Sequence, residues 1–120
     1  MSELDCAHLL VRVKYIDEWQ NRRKEIAKFW CQAFKDLPLT CLSDTKDPHA
    51  HQKFVMYLPD RNSLFTNLML NGIDCKRHYE YVLLSTSVML SRGVISLPMY
   101  PELTDLEIEF IADSVLEYFS

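Results

Sequence analysis

The chain is nearly without glycine, holding two in 120 residues, Gly72 and Gly93. Glycine-rich phosphate loops need several close together, so neither a P-loop nor a dinucleotide fingerprint can be built, and no G-x-S-x-G nucleophile elbow occurs. An excess of positive charge is missing too. Thirteen Lys and Arg stand against 17 Asp and Glu, a formal net charge of −4, which leaves no electrostatic footprint for nucleic acid. No apolar run approaches the roughly 18 residues that a membrane helix needs. Met1 is followed by Ser2, Glu3, Leu4 and Asp5 rather than by a basic and then apolar leader. The four cysteines, Cys6, Cys31, Cys41 and Cys75, make no C-x-x-C pair. With no leader, the expectation is four reduced thiols and a cytoplasmic location.

What is present is ordinary for a globular protein: 48% hydrophobic and 25% charged residues. The length suits a single domain over residues 1–120 with one modest core. Residues 2–14 read as a helix, with Ser2 as N-cap, Glu3 and Asp5 at its positive end, and Leu4, Ala7 and Val11 as a stripe flanked by Leu10. A longer amphipathic helix follows. Ile16, Trp19, Arg23, Ile26, Trp30 and Ala33 fall three and four apart, Phe29, Phe34 and Leu37 widen the stripe, and Leu37-Pro38 ends it. Residues 38–50 are mainly loop, with room for an extended piece at 40–42. Residues 51–58 read as a strand covered on both faces, closed by Pro59. Asp60 caps a helix to about Asn71, buried through Leu64, Phe65, Leu68 and Met69, and Gly72 stops it. Residues 73–79 form a second strand, 80–93 are loop or short helix, and Val94–Leu97 is a third strand ended by Pro98. Thr104-Asp105-Leu106-Glu107 is a capping box, with Leu103 and Ile108 at the staple positions. Leu106, Phe110, Ile111, Val115 and Tyr118 carry the buried face of the last helix. The expectation is an α+β domain, a small three-stranded sheet covered by helices.

The residues alone carry little site chemistry. His49-x-His51 could set two imidazoles on one face of an extended segment, but two ligands do not make a metal site, and no Cys or carboxylate pattern completes it. The Trp and Phe stripe of the second helix reads as core or as a surface for a partner. The basic positions from Arg22 to Lys28 are interleaved with Glu25 and read as a solvated face. No metal ligand set and no catalytic residue emerges.

Four stretches, in order, resemble the DegT/StrS family of sugar aminotransferases. "SRGVISLPMYPELTDLEIEFI" is similar to the strand and last helix of that family, with Ser96, Leu97, Pro98, Tyr100, Pro101, Leu103 and Thr104 matching its V-x-S-L-P-x-Y-P-x-L-T. "MSELDCAHLLVRVKYIDEWQNRRKEIAKFW" is similar to its helix pair. "QKFVMYLPDRNSLFTNLMLNGI" is similar to its strand and helix before G-I. "GIDCKRHY" is similar to its G-I-x-x-x-x-H-Y. The resemblance implies the fold of the C-terminal small domain of fold-type-I aminotransferases. It implies a parent reaction in which pyridoxal phosphate carries an amino group from glutamate to a keto group on a nucleotide-linked sugar.

The family's cofactor domain, with its Schiff-base lysine and most of its phosphate contacts, lies upstream of the M-x-E-L helix. On that resemblance the large domain is absent from this chain. None of Lys14, Lys24, Lys28, Lys35, Lys46, Lys53 and Lys76 matches the lysine motif. The chain is therefore expected to bind no cofactor and to be inactive alone. Residues carried over to the substrate side are His78 and Tyr79, although Glu80 stands where the family has proline. The span from Glu80 to Ile95 is short for the family, which implies a deletion in its substrate loop and favours a relic or a reused scaffold over active complementation. The expected partners are a separately encoded large domain or a second copy, through an apolar patch that the missing domain would cover. The alternative is a stand-alone interaction or ligand-binding module.

Overall fold

The computed structural model describes residues 1–43, 49–78 and 91–120. Among these are four α-helices and four β-strands: α1 (Glu3–Val13), α2 (Ile16–Ala33), β1 (Thr40–Cys41), β2 (Phe54–Tyr57), α3 (Arg61–Leu70), β3 (Lys76–Arg77), β4 (Val94–Leu97) and α4 (Asp105–Phe119). The strands form one antiparallel sheet in the order β1-β2-β4-β3. The α+β class is as expected. The sheet has four strands rather than three, because the extended piece at Thr40–Cys41 pairs with Tyr57 and Met56.

Register explains which face is covered. Phe54 pairs with Leu97 and Met56 with Ile95, and all four are buried. On that face Trp30 of α2 meets Phe54 edge-on at 5.1 Å, with Phe34 at 6.3 Å. Leu64 and Leu68 of α3 and Ile108, Ile111 and Val115 of α4 complete the same core. Two polar ties fix α4 against α2. Trp30 Nε1 donates to the Ile108 carbonyl at 3.1 Å, and Arg22 donates to the Leu103 carbonyl and to Asp105 Oδ1. Burying the indole with its N–H satisfied avoids the penalty of an orphaned donor.

Several boundaries move, each for a local reason. α2 stops at Ala33 rather than Leu37. Pro38 disfavours helical backbone at Leu37, and the chain unwinds through turns while Phe34 enters the core. The strand expected over 51–58 begins at Phe54, because His51 has φ 49° and cannot continue extended backbone. The strand expected over 73–79 is only Lys76–Arg77. Before it, Ile73 and Cys75 are buried as core residues of a connector. Gly72 does stop α3 as expected: at φ 79° it allows Gly72 N–H to reach the Met69 carbonyl and Ile73 N–H the Leu68 carbonyl, a Schellman closure. Asp60 precedes α3 but makes no side-chain cap.

Some burial assignments are corrected. Leu106 is 79% and Phe110 53% exposed, so α4 packs through Ile108, Ile111, Ala112 and Val115 instead. Those positions lie at i, i+3, i+4 and i+7, and the Leu106–Phe110 edge lies beside that stripe. Met69 is exposed, whereas Arg61, which periodicity passes over, is buried and donates to the Ser91 and Val94 carbonyls. The stripe on α1 covers nothing: no residue of α1 is buried. Of the region 80–93, expected as loop or short helix, residues 80–90 lie outside the described residues.

Candidate functional site

Two of the four distinctive stretches converge at the sheet edge. Strand alternation puts Lys76 and His78 on the face that does not meet the helices. Pairing sets Lys76 opposite Ser96 on β4. His78 Nε2 and Ser96 Oγ are 2.6 Å apart, and Ser96 Oγ lies 3.5 Å from the Lys76 carbonyl. Ser96 is only 6% exposed, so its hydroxyl serves the imidazole and the strand rather than an incoming molecule. Beside it opens a pocket of about 250 Å³ whose lining includes Lys53, Asp74, Lys76, His78, Ser96 and Tyr100.

Among the described residues the pocket sets Lys53 and Lys76 beside Asp74. The His78 imidazole is held below its usual range, first by burial and then by the positive charges of Lys53, Lys76 and Arg61. A neutral imidazole, a hydroxyl, a phenol and two ammonium groups can bind an oxygen-rich or anionic molecule. Of the two carried-over residues, His78 is thus in a pocket, and Tyr79 lies outside the described residues. Lys53 is named in the sequence only among the lysines without the cofactor motif, and nothing local ties it to His78. Ser96 and Tyr100 stand out in the sequence only as motif matches, because their proximity to His78 depends on β-pairing across the unread segment.

The other histidine pair is different. The rings of His49 and His51 lie 4.6 Å apart, and His51 N–H donates to His49 Nδ1 at 2.9 Å. His51 sits at positive φ, so the pair does not lie on an extended segment. Burial, with His49 and Lys24 nearby, lowers the pKa of His51. No group of three or more His, Cys, Asp or Glu gathers among the described residues.

The lysines do not fit a resident pyridoxal phosphate. Lys14, Lys24, Lys28, Lys35, Lys53 and Lys76 are all exposed, whereas a Schiff-base lysine needs a walled, partly desolvated pocket. Lys46 lies outside the described residues. No helix among the described residues is long and apolar enough to cross a membrane.

Comparison with known proteins agrees with this geometry. The sequence model of the DegT/DnrJ/EryC1/StrS aminotransferase family matches residues 1–116. The chain is 26% identical over 133 residues to the dTDP-3-amino-3,6-dideoxy-alpha-D-galactopyranose transaminase of Aneurinibacillus thermoaerophilus, covering 98% of this chain and 36% of that protein. Among solved structures it is similar to S. venezuelae DesV in complex with a ketimine intermediate, with a TM-score of 0.86, 23% identity and 95% of this chain covered against 35% of that one. It is also similar to Helicobacter pylori PseC, an aminotransferase involved in the biosynthesis of pseudoaminic acid, with a TM-score of 0.81, 24% identity and coverage of 92% and 35%. The chain spans about a third of the length of the curated relatives it matches.

Proposed function

Because this chain belongs to the DegT/DnrJ/EryC1/StrS aminotransferase family, we propose that it is the small C-terminal domain of a nucleotide-sugar aminotransferase. It acts in amino transfer from glutamate to a keto sugar only when combined with a large domain that holds pyridoxal phosphate. In that assembly His78 lies on the substrate side, and α1 is covered by the large domain.

The observation that supports this reading is α1. Its Leu4, Leu9, Leu10, Val11 and Val13 are all exposed, Leu10 at 71%. They make one broad apolar face opposite Asp5, His8 and Arg12, and such a face on a helix is normally turned towards a partner. A patch of this kind marks a surface that something else covers.

The test is co-expression with the first two thirds of the A. thermoaerophilus transaminase. A one-to-one complex that restores amino transfer is the expected result, and Leu10→Lys with Val11→Lys should abolish it. The intact mass of the protein from its native cell, read beside the DNA upstream of Met1, tells whether the two domains are one chain or two. A monomer of 120 residues that neither binds hydrophobic dye nor joins the large domain would overturn the proposal. Tight self-association with no affinity for the large domain would favour a stand-alone interaction module instead.

A further inference from the structure

α4 turns a face outwards that is acidic and apolar at once. The helix carries Asp105, Glu107, Glu109, Asp113 and Glu117 and no Lys, Arg or His. Leu106, Phe110, Asp113 and Glu117 fall at i, i+4, i+7 and i+11, so they share one side, and all four are exposed. Beside that side, where the end of α3 meets the start of α4, opens a groove of about 340 Å³. Its floor is Ile73, Leu103 and Ile111, all buried, and its walls include the exposed rings of Tyr100 and Phe110. Leu70, 82% exposed, stands two residues before Gly72 at the rim.

The charge of this surface is one-signed. Its lining carries Asp74 and Glu107 and no cation. Asp74 also borders the pocket of Lys53 and Lys76, so Glu107 is the carboxylate that belongs to the groove alone. Thr104 fixes it through its N–H and its hydroxyl, both on Oε2. Glu107, Asp113 and Glu117 take part in no ion pair among the described residues, where Arg22 answers only Glu25 and Asp105. Residues 44–48 and 79–90 hold one cation, Lys46, with Asp44 and Asp47 close to it in sequence.

We propose that this groove and the Leu106–Phe110 side of α4 dock a protein segment that sets an arginine beside a large apolar side chain. A guanidinium can stack on an aromatic ring and pair with a carboxylate at the same time. Glu107 and Phe110, three apart on α4, offer both within one helical turn. An anionic segment would be repelled by the same carboxylates. A small cation in the groove would leave Leu70 and Leu106 in water, whereas a protein segment covers them too. Arginine among apolar and aromatic side chains is the usual make-up of an interface centre. The proposal goes beyond the domain reading and does not depend on what covers α1.

The experiment is NMR of the 120-residue chain, following the Gly72, Glu107 and Phe110 amides. The probe is the peptide acetyl-Leu-Arg-Phe-Leu-amide at millimolar concentration. Its forms with citrulline or glutamate in place of arginine are the controls. Saturable shifts are expected with the arginine peptide, about fivefold weaker binding with citrulline, and no binding with glutamate. Glu107→Gln keeps the capping box, since glutamine serves there too, and should weaken the arginine peptide by a similar factor. Phe110→Ala, at an exposed position, should remove the saturable shifts. Leu10→Lys with Val11→Lys should leave them unchanged; their loss would place the peptide on α1 and overturn the proposal. No shift, or equal binding of the glutamate peptide, overturns it as well. So does butylguanidinium bound as tightly as the peptide, which would make the groove a small-cation site. So do concentration-dependent shifts of the same amides without peptide, which would put a second copy there. The proposal stands or falls on this titration, whatever co-expression with a large domain gives.

Discussion

α1 and α4 begin alike and end differently. Each opens with a full capping box, Ser2 with Asp5 and Thr104 with Glu107, in which side chain and backbone satisfy each other reciprocally. Each has acidic residues in its first turn and an apolar face. Yet α4 buries five residues, packing on α2 and α3, and α1 buries none. The caps decide where a helix starts, and they hold no information about what the helix lies against. That comes from long-range partners such as Trp30 and Arg22 for α4. For α1, no such partner stands among the described residues.

The strongest way to sharpen this contrast is to delete matched apolar groups on the two sides. Trp30 is fully buried, stacks edge-on with Phe54 and bonds the Ile108 carbonyl. Trp30→Ala should cost about 3–5 kcal/mol, a large part of a small domain's stability, and urea denaturation should find it unfolded or nearly so. Leu10→Ala in the isolated chain should change the midpoint by less than about 0.5 kcal/mol. A large loss at Leu10 would mean that α1 is packed after all, and would break the comparison.

Adding volume gives a smaller effect of the same kind. A Cβ on Gly93 would lie 2.3 Å from the Tyr57 ring and 2.9 Å from the Leu58 carbonyl oxygen, and Leu58 N–H donates to the Gly93 carbonyl across that junction. Gly93→Ala should therefore cost about 1–3 kcal/mol through displaced β2 and β4 backbone. Ala7→Leu, on exposed α1, should cost almost nothing in the same denaturation experiment.

The residues that made the fold legible are those whose signal is local. Thr104, Glu107, Gly72 and Pro98 each act within a few positions, and each was read correctly. The stripe of α2 was legible because Ile26 and Trp30 repeat at helical spacing. What failed depended on distant partners. Leu106 and Phe110 are apolar and read as core, but α4 turns Ile108, Ile111 and Val115 to α2 and α3 instead and leaves those two exposed. β1 was barely legible because two residues have no periodicity and exist as a strand only through β2. In the site, His78 was found through its family motif. Lys53 and the role of Ser96 were not, because they meet His78 only once β4 lies between β2 and β3.

The finest test compares the two caps themselves. Thr104→Ala should cost about 1 kcal/mol of global stability, since α4 unfolds only with the core. Ser2→Ala removes an equivalent cap but should lower only local helicity, seen by amide exchange in residues 3–6, with the denaturation midpoint unmoved. Acid should divide the two in the same way. The Glu107 carboxylate is held below its usual value by its bonds to Thr104, backbone first, and Asp5 likewise by Ser2. A carboxylate whose pKa is lowered on folding stabilises above its unfolded value and loses that contribution as pH falls through the folded one. Below the ordinary glutamate value of 4.5, protonation of Glu107 should draw down the melting temperature. Protonation of Asp5 should fray α1 alone, because a helix that rests on nothing can lose its first turn without disturbing the core.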